Sequence, residues 1–339
     1  MVQLAVKLLG LCLSVILITN WSVSQVDVLP RKNFDPCRMN YMSNNLGYYN
    51  VVFVGSSRFG RQIDTKLFDS LHADLGFHSY NYSFDAAFSP TSINLANDLL
   101  EYNGDKPHLL ILELAPIEFM GELDPSHVAR SIAWYSWDDF AFLLNSRSGK
   151  SVSTIEFVRI SFNRFYLFTY RIFSIGEFWK RIILSRNNCG SKQNSFEPMT
   201  ELGKTPKLLQ ELDEIREANT TKNLTSYQLN LSSSSYLERL NQLEEKCLKR
   251  NIQLLTVIAP RMKKGDIAFL ESLAKLLNQQ NLIRLNSSDE YPELYSAELT
   301  ADLGHLNEKG IRVFTENLSS NIRSIVRPKT TEHDERVNL

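Results

Sequence analysis

Apolar positions fall into five short runs separated by longer stretches of helical periodicity. The first, Asn50-Val51-Val52-Phe53-Val54, has no polar alternation, which predicts a strand covered on both faces. It stops on Gly55-Ser56-Ser57-Arg58, where a glycine permits a tight turn. From about Phe59 the spacing becomes helical, with Ile63, Leu67 and Leu71 four residues apart. Further strands are expected at 78–83, 109–114, 251–259 and 282–285. Strands alternating with helices predict an α/β fold, a doubly wound five-stranded parallel sheet in flavodoxin-like order with the first strand central and ligands at the carboxyl ends.

More than a hundred residues separate the third and fourth strands, far beyond an ordinary crossover, so a large helical insertion or cap is expected over 127–240. Val128 to Leu144 carries Trp134, Trp137, Phe140 and Phe142. Ser151 to Leu184 interleaves aromatics such as Phe162, Phe165 and Tyr166 with Arg159, Arg164 and Arg171. Aromatics among cations suit an anionic membrane surface or a sugar-stacking groove. They also suit packing of the cap onto the sheet, the commoner use of large aromatics. The polar stretch from Asn187 to Ser235 reads as a mobile loop on the cap, and Tyr236 to Lys249 as an amphipathic helix. A closing helix is expected from Leu306 to Ile325, capped by Asn307, with the stripe Ile311, Phe314, Leu318, Ile322 and Ile325. The α/β domain thus occupies 50–126 and 241–327, and a polar tail, 328–339, is expected to fray.

At the N-terminus Leu8 to Thr19 is nearly continuous in apolar character and follows Lys7. The run is short of the ~20 residues that span a bilayer comfortably, but it fits a signal-peptide core. Ser22-Val23-Ser24 offers small residues for cleavage before Gln25; an uncleaved anchor, lengthened by Leu4 to Val6 and Trp21, is the competing reading. Residues 1–24 are therefore a leader or anchor, and 25–49, with Pro30 and Pro36, a linker or short helical lead-in.

With 339 residues and 43% hydrophobic content the chain has ample material for a core. A net charge of −1 gives no global field for nucleic acid. Cys12 is not preceded by a small residue as a lipoprotein cysteine would be. Cys37, Cys189 and Cys247 fit no zinc signature and leave at most one disulfide, whose partners stay open.

Ser57 falls at or just before a helix N-terminus, where free N–H groups and the helix dipole stabilise an oxyanion. Ser56 or Ser57 as a plain helix cap is the alternative, and Ser56 is a lesser candidate nucleophile. A second stretch far along the chain, Asp302-Leu303-Gly304-His305-Leu306-Asn307-Glu308-Lys309-Gly310, supplies an acid and a base three residues apart. Together the Gly-Ser-Ser-Arg turn and the Asp-x-x-His-Leu-Asn-x-x-Gly block resemble the first and last blocks of the SGNH/GDSL hydrolase superfamily. The form is similar to cell-envelope branches of that superfamily, which include relatives of the D-alanyl-lipoteichoic acid biosynthesis and alginate O-acetylation proteins.

The resemblance implies a triad of Ser57 as nucleophile, His305 as base and Asp302 as its orienting partner. It also implies an oxyanion donor in the turn after the second strand, where Ser83 or Ala86 stands nearest to the family's glycine. The family's asparagine after the third strand is absent from Ala115-Pro116-Ile117-Glu118. Arg58 is the candidate substitute for oxyanion or substrate binding, with Glu113 as its possible counter-ion. His72, His78, His108 and His127 have no comparable partner pattern. The function expected is an exported serine esterase or O-acyltransferase, periplasmic or otherwise extracytoplasmic. It would act on acylated envelope polysaccharide or a small acyl ester, without metal or cofactor. A membrane contact is expected through the N-terminal segment, and an envelope biosynthesis complex is a possible partner. The alternative is a non-catalytic assembly or carbohydrate-binding partner of such a complex.

Overall fold

The computed structural model describes residues 2–25, 36–102, 107–117, 138, 139, 142, 158, 204–227 and 234–326. Five strands, β1 (Val51–Val54), β2 (Ser79–Asn81), β3 (Leu109–Glu113), β4 (Gln253–Ile258) and β5 (Leu282–Arg284), form one sheet in the order β2-β1-β3-β4-β5. Every pairing is parallel, with Val51 opposite Ser79 on one side and Leu109 on the other. This is the α/β architecture expected, and all five strands lie within the stretches anticipated for them.

The unalternating strands have a direct cause. Val52 and Val54 of β1, with Leu110 and Leu112 of β3, enter one apolar layer; Val51 and Phe53, with Leu109 and Ile111, enter the other. The first layer is closed by α2 (Pro36–Asn45), α5 (Thr91–Glu101), α8 (Ser234–Leu248) and α9 (Lys264–Ala274). The second is closed by α3 (Ser57–Gln62), α4 (Thr65–Leu71), α6 (Pro206–Ala218) and α10 (Glu308–Ile325). In that layer Phe53 meets Phe59 and Phe68 edge-on at centroid distances of 6.2 and 4.9 Å, and Phe59 meets Phe314 at 6.5 Å. These rings join β1, α3, α4 and α10, so truncating one to alanine costs about 3–5 kcal/mol and loosens what carries the site.

Two expectations are corrected. The helix expected from Phe59 through Leu71 is interrupted. Ile63 is extended, and Asp64 caps a new helix, its Oδ1 accepting from the N–H of Lys66 and Leu67 at 3.0 and 3.2 Å. The stretch read as a mobile loop contains α6 and α7 (Thr221–Ser226). Thr205 caps α6 by accepting from Leu208 N–H at 3.2 Å, Pro206 begins it, and Leu212 and Ile215 turn inward. Its polar outer face had concealed that stripe.

The N-terminal run lies in one helix, α1 (Val2–Gln25), on which Leu8, Leu9, Leu11, Leu13, Leu17 and Ile18 are exposed. Taken over the described residues alone, no helix is long and apolar enough to cross a membrane. The short lead-in helix anticipated before β1 is α2. The aromatic-rich runs 128–144 and 151–184 and the tail 328–339 lie outside the described residues, apart from isolated positions. One of these, Phe142, is buried against Tyr236 with the Arg239 guanidinium over its ring, a packing role. Asn307 caps α10 as expected, accepting from Gly310 N–H at 3.1 Å.

Candidate active site

The carboxyl ends of all five strands supply the site. After β1, Gly55 and Ser56 turn the chain into α3. Ser56 is the cap, accepting from Arg58 N–H at 3.2 Å, and Ser57 is the first helical residue. The cap role left open between the two serines therefore falls to Ser56. Glu113, the last residue of β3, is fully buried and accepts from Ser56 N–H at 2.6 Å and Ser56 Oγ–H at 2.9 Å. This approach leaves no room for a side chain at position 55, where a Cβ would lie 2.5 Å from Glu113 Oε2 and 2.7 Å from Glu113 Cβ. Burial raises the Glu113 carboxyl above its ordinary range, against the opposing pull of Arg58, the Ser56 hydrogen bonds and His305. Glu113 thus meets Arg58 through space, while its direct bonds hold the Gly55-Ser56 turn.

Far along the chain, the loop before α10 delivers the partners. His305 Nε2 lies 2.8 Å from Ser57 Oγ, and His305 Nδ1 lies 2.9 Å from both oxygens of Asp302. A carboxylate only accepts, so Nδ1 carries the proton and Nε2 is left to accept from the serine hydroxyl. Asp302 Oδ1 also accepts from the N–H of Gly304 at 2.7 Å and of His305 at 2.8 Å, folding the loop around the carboxylate. Burial pushes this carboxyl up; the bonds from His305 and the two backbone N–H groups outweigh it and hold it below its ordinary value. Gln62, at the end of α3, donates from Nε2 to Gly304 O at 3.1 Å and fastens the helix that begins at Ser57 to the loop of Asp302 and His305.

The turn after β2 is tied to the same place. Phe84 N–H donates to Gly55 O at 3.0 Å, and Arg61 of α3 forks onto Asp85, with Nε 3.0 Å from Oδ1. Ser83 is fully buried, its carbonyl accepting from Arg38 Nη1. Ala86 is partly exposed and has φ +56°, the left-handed conformation that favours glycine. Neither the N–H of Ala86 nor that of Ser57 is taken by a described group. After β3, Ala115 offers no side-chain donor, and Tyr236 OH donates to its carbonyl at 2.9 Å. Arg58 Nε is buried without a described partner, and its Nη2 reaches the surroundings of Gly304.

Other candidates separate from the site. His72 is buried among Phe68 and Phe77 with Nδ1 on Phe68 O, a core histidine. Cys247 is a free buried thiol, pushed up to about 12 by burial. Three features went unread in the sequence: the bonds of Glu113 to Ser56, the Gln62 tie, and Arg261, which lies buried beneath the acid-base loop. The signal for the last was a cation directly after an apolar strand and a proline, at the carboxyl edge where ligand sites gather. No protein-family model matches the chain, and no curated protein matches it significantly.

Proposed function

We propose that the chain is a serine esterase or O-acyltransferase of the SGNH type, using Ser57, His305 and Asp302. One observation carries the reading: a hydroxyl at a helix N-terminus lies 2.8 Å from an imidazole whose other nitrogen is held by a carboxylate. The hydroxyl and the imidazole come from positions 248 residues apart. Ser57 Oγ attacks the acyl carbonyl as its proton passes to His305 Nε2. The N–H groups of Ser57 and Ala86 are the donors for the oxyanion. Collapse of the tetrahedral species breaks the ester C–O bond, and the alkoxide takes the proton from His305. Water or a second hydroxyl then attacks the acyl-enzyme, giving its proton to His305, and Ser57 leaves protonated. Asp302 stays ionised throughout and stabilises the imidazolium.

In this reading Arg58 binds an anionic part of the substrate or supports the oxyanion, and the sheet is of the SGNH type with a large helical insertion between its third and fourth strands. Acylated envelope polysaccharide as substrate, and export with α1 as leader or anchor, rest on the motif resemblance and on the exposed apolar α1. Ala115, standing where a donor asparagine is expected, favours the second reading, a non-catalytic assembly or carbohydrate-binding partner. Turnover of simple acetyl esters separates the two. The esterase reading expects hydrolysis that falls on the order of 10⁴-fold or more in folded Ser57→Ala and His305→Ala. Equal rates in wild type and both variants would leave only the binding reading.

A further inference from the structure

Among the described residues, the largest side chain that is almost wholly buried is a cation, Arg261, with 1% of its surface exposed. It follows β4 and has φ +62°, a left-handed conformation costly for an arginine. Among the described residues no carboxylate pairs with it. Its guanidinium instead serves four carbonyls: Nε reaches Leu294 O at 2.5 Å, Nη2 reaches Ser296 O at 3.1 Å, and Nη1 reaches both Asp302 O and His305 O at 3.4 Å. Its own N–H donates to Tyr295 OH at 3.3 Å, and that hydroxyl donates to Asn286 O at 2.7 Å. Burying a cation without a directly paired anion is costly unless oriented dipoles compensate, and here backbone carbonyls do so, with the Asp302 carboxylate attracting the guanidinium through space.

Two of those dipoles belong to the acid and the base of the triad. We propose that Arg261 is a positioning residue: its guanidinium fork fixes the backbone of Asp302 relative to that of His305, and so the aim of Nε2 at Ser57. The inference rests on the triad reading. A purely electrostatic role would be met by any buried cation. A fork serving four carbonyls in different directions is met by arginine and not by the three-donor point charge of lysine. Misaiming a reacting group by about 1 Å costs on the order of 100-fold in rate.

The test compares full-length wild type, Arg261→Lys and Arg261→Ala. Two readouts are used: the rate of Ser57 modification by a fluorophosphonate, and the low-field proton resonance of His305 Nδ1–H bonded to Asp302. Folding is checked by urea unfolding. The expected result is a folded Arg261→Lys protein that labels on the order of 100-fold more slowly and has lost the low-field resonance. Arg261→Ala should recover labelling and resonance when millimolar methylguanidinium is added. The same additive should leave wild type unchanged. Wild-type labelling and resonance in Arg261→Lys would overturn the inference, as would failure of methylguanidinium to restore either readout in Arg261→Ala. A variant that folds only with methylguanidinium present is assayed in that state, where recovered labelling supports the inference and absent labelling overturns it. A wild type that shows the resonance but forms no adduct defeats the esterase reading instead, and the resonance in the variants then decides the role of Arg261.

Discussion

Gly55→Ala tests how tightly the nucleophile turn is built. A Cβ there would lie 2.7 Å from Glu113 Cβ, 2.5 Å from Glu113 Oε2 and 3.1 Å from Phe59 Cβ. Carbon atoms prefer about 3.5–4.0 Å, so the first contact is short by roughly 1 Å and involves a Cβ that no rotamer change can move. Separating the turn from β3 sacrifices a charge-assisted bond between Ser56 and Glu113, worth about 1.5–3 kcal/mol, and the residual overpacking costs about 1–3 kcal/mol. Position 55 does not require a left-handed backbone, so the entropy gained by replacing glycine returns about 0.4–1 kcal/mol. The net expectation is a destabilisation of about 2–5 kcal/mol in urea unfolding, with a matching loss of Ser57 labelling in the protein that remains folded. Adding Glu113→Ala removes Oε2 and leaves Cβ, so the double variant should recover only part of the loss. An alanine variant within about 0.5 kcal/mol of wild type would refute the close approach on which this account of the turn depends.

Two further outcomes follow from the same residues. Because burial raises the Glu113 carboxyl, the folded state holds its proton to higher pH than the unfolded chain, and this group lowers stability as pH rises from about 4.5 through the raised value. Glu113→Gln should abolish that slope in stability measured against pH. Asp302 has the opposite sign: its contribution is present above its unfolded value of 3.8 and is lost as pH falls through the depressed one, so the two windows do not overlap. Ala86→Gly replaces a left-handed alanine, which costs roughly 1–2 kcal/mol, by a residue whose extra chain entropy costs about 0.5–1 kcal/mol. Unfolding should therefore show no loss and up to about 1.5 kcal/mol of gain, with labelling retained. A loss above 1 kcal/mol would contradict the conformation assigned to that turn.

The strands were legible because burial on both faces leaves a run such as Val51 to Val54 without polar alternation, and each such run ended on turn residues. The pairing of Ser57 with His305 was legible because each stretch had its own local pattern, and neither was persuasive alone. What sequence concealed lies in contacts between distant segments. Glu113 reads as a polar end to an apolar strand; only the sheet register brings it under Ser56. Arg261 showed only its place after an apolar strand and a proline; its burial against four carbonyls comes from residues 294 to 305 and could not be read locally. Helix α6 was hidden for a different reason, its apolar stripe being narrow and its exposed face carrying Lys207, Asp213, Glu214, Arg216 and Glu217.

The central claim is that Ser57 is an activated nucleophile, and fluorophosphonate labelling followed by peptide mapping tests it most directly. The account predicts one adduct, on Ser57, in wild-type protein and none in Ser57→Ala or His305→Ala variants that remain folded. Folded wild-type protein that forms no adduct, or one whose adduct persists in His305→Ala, would contradict it.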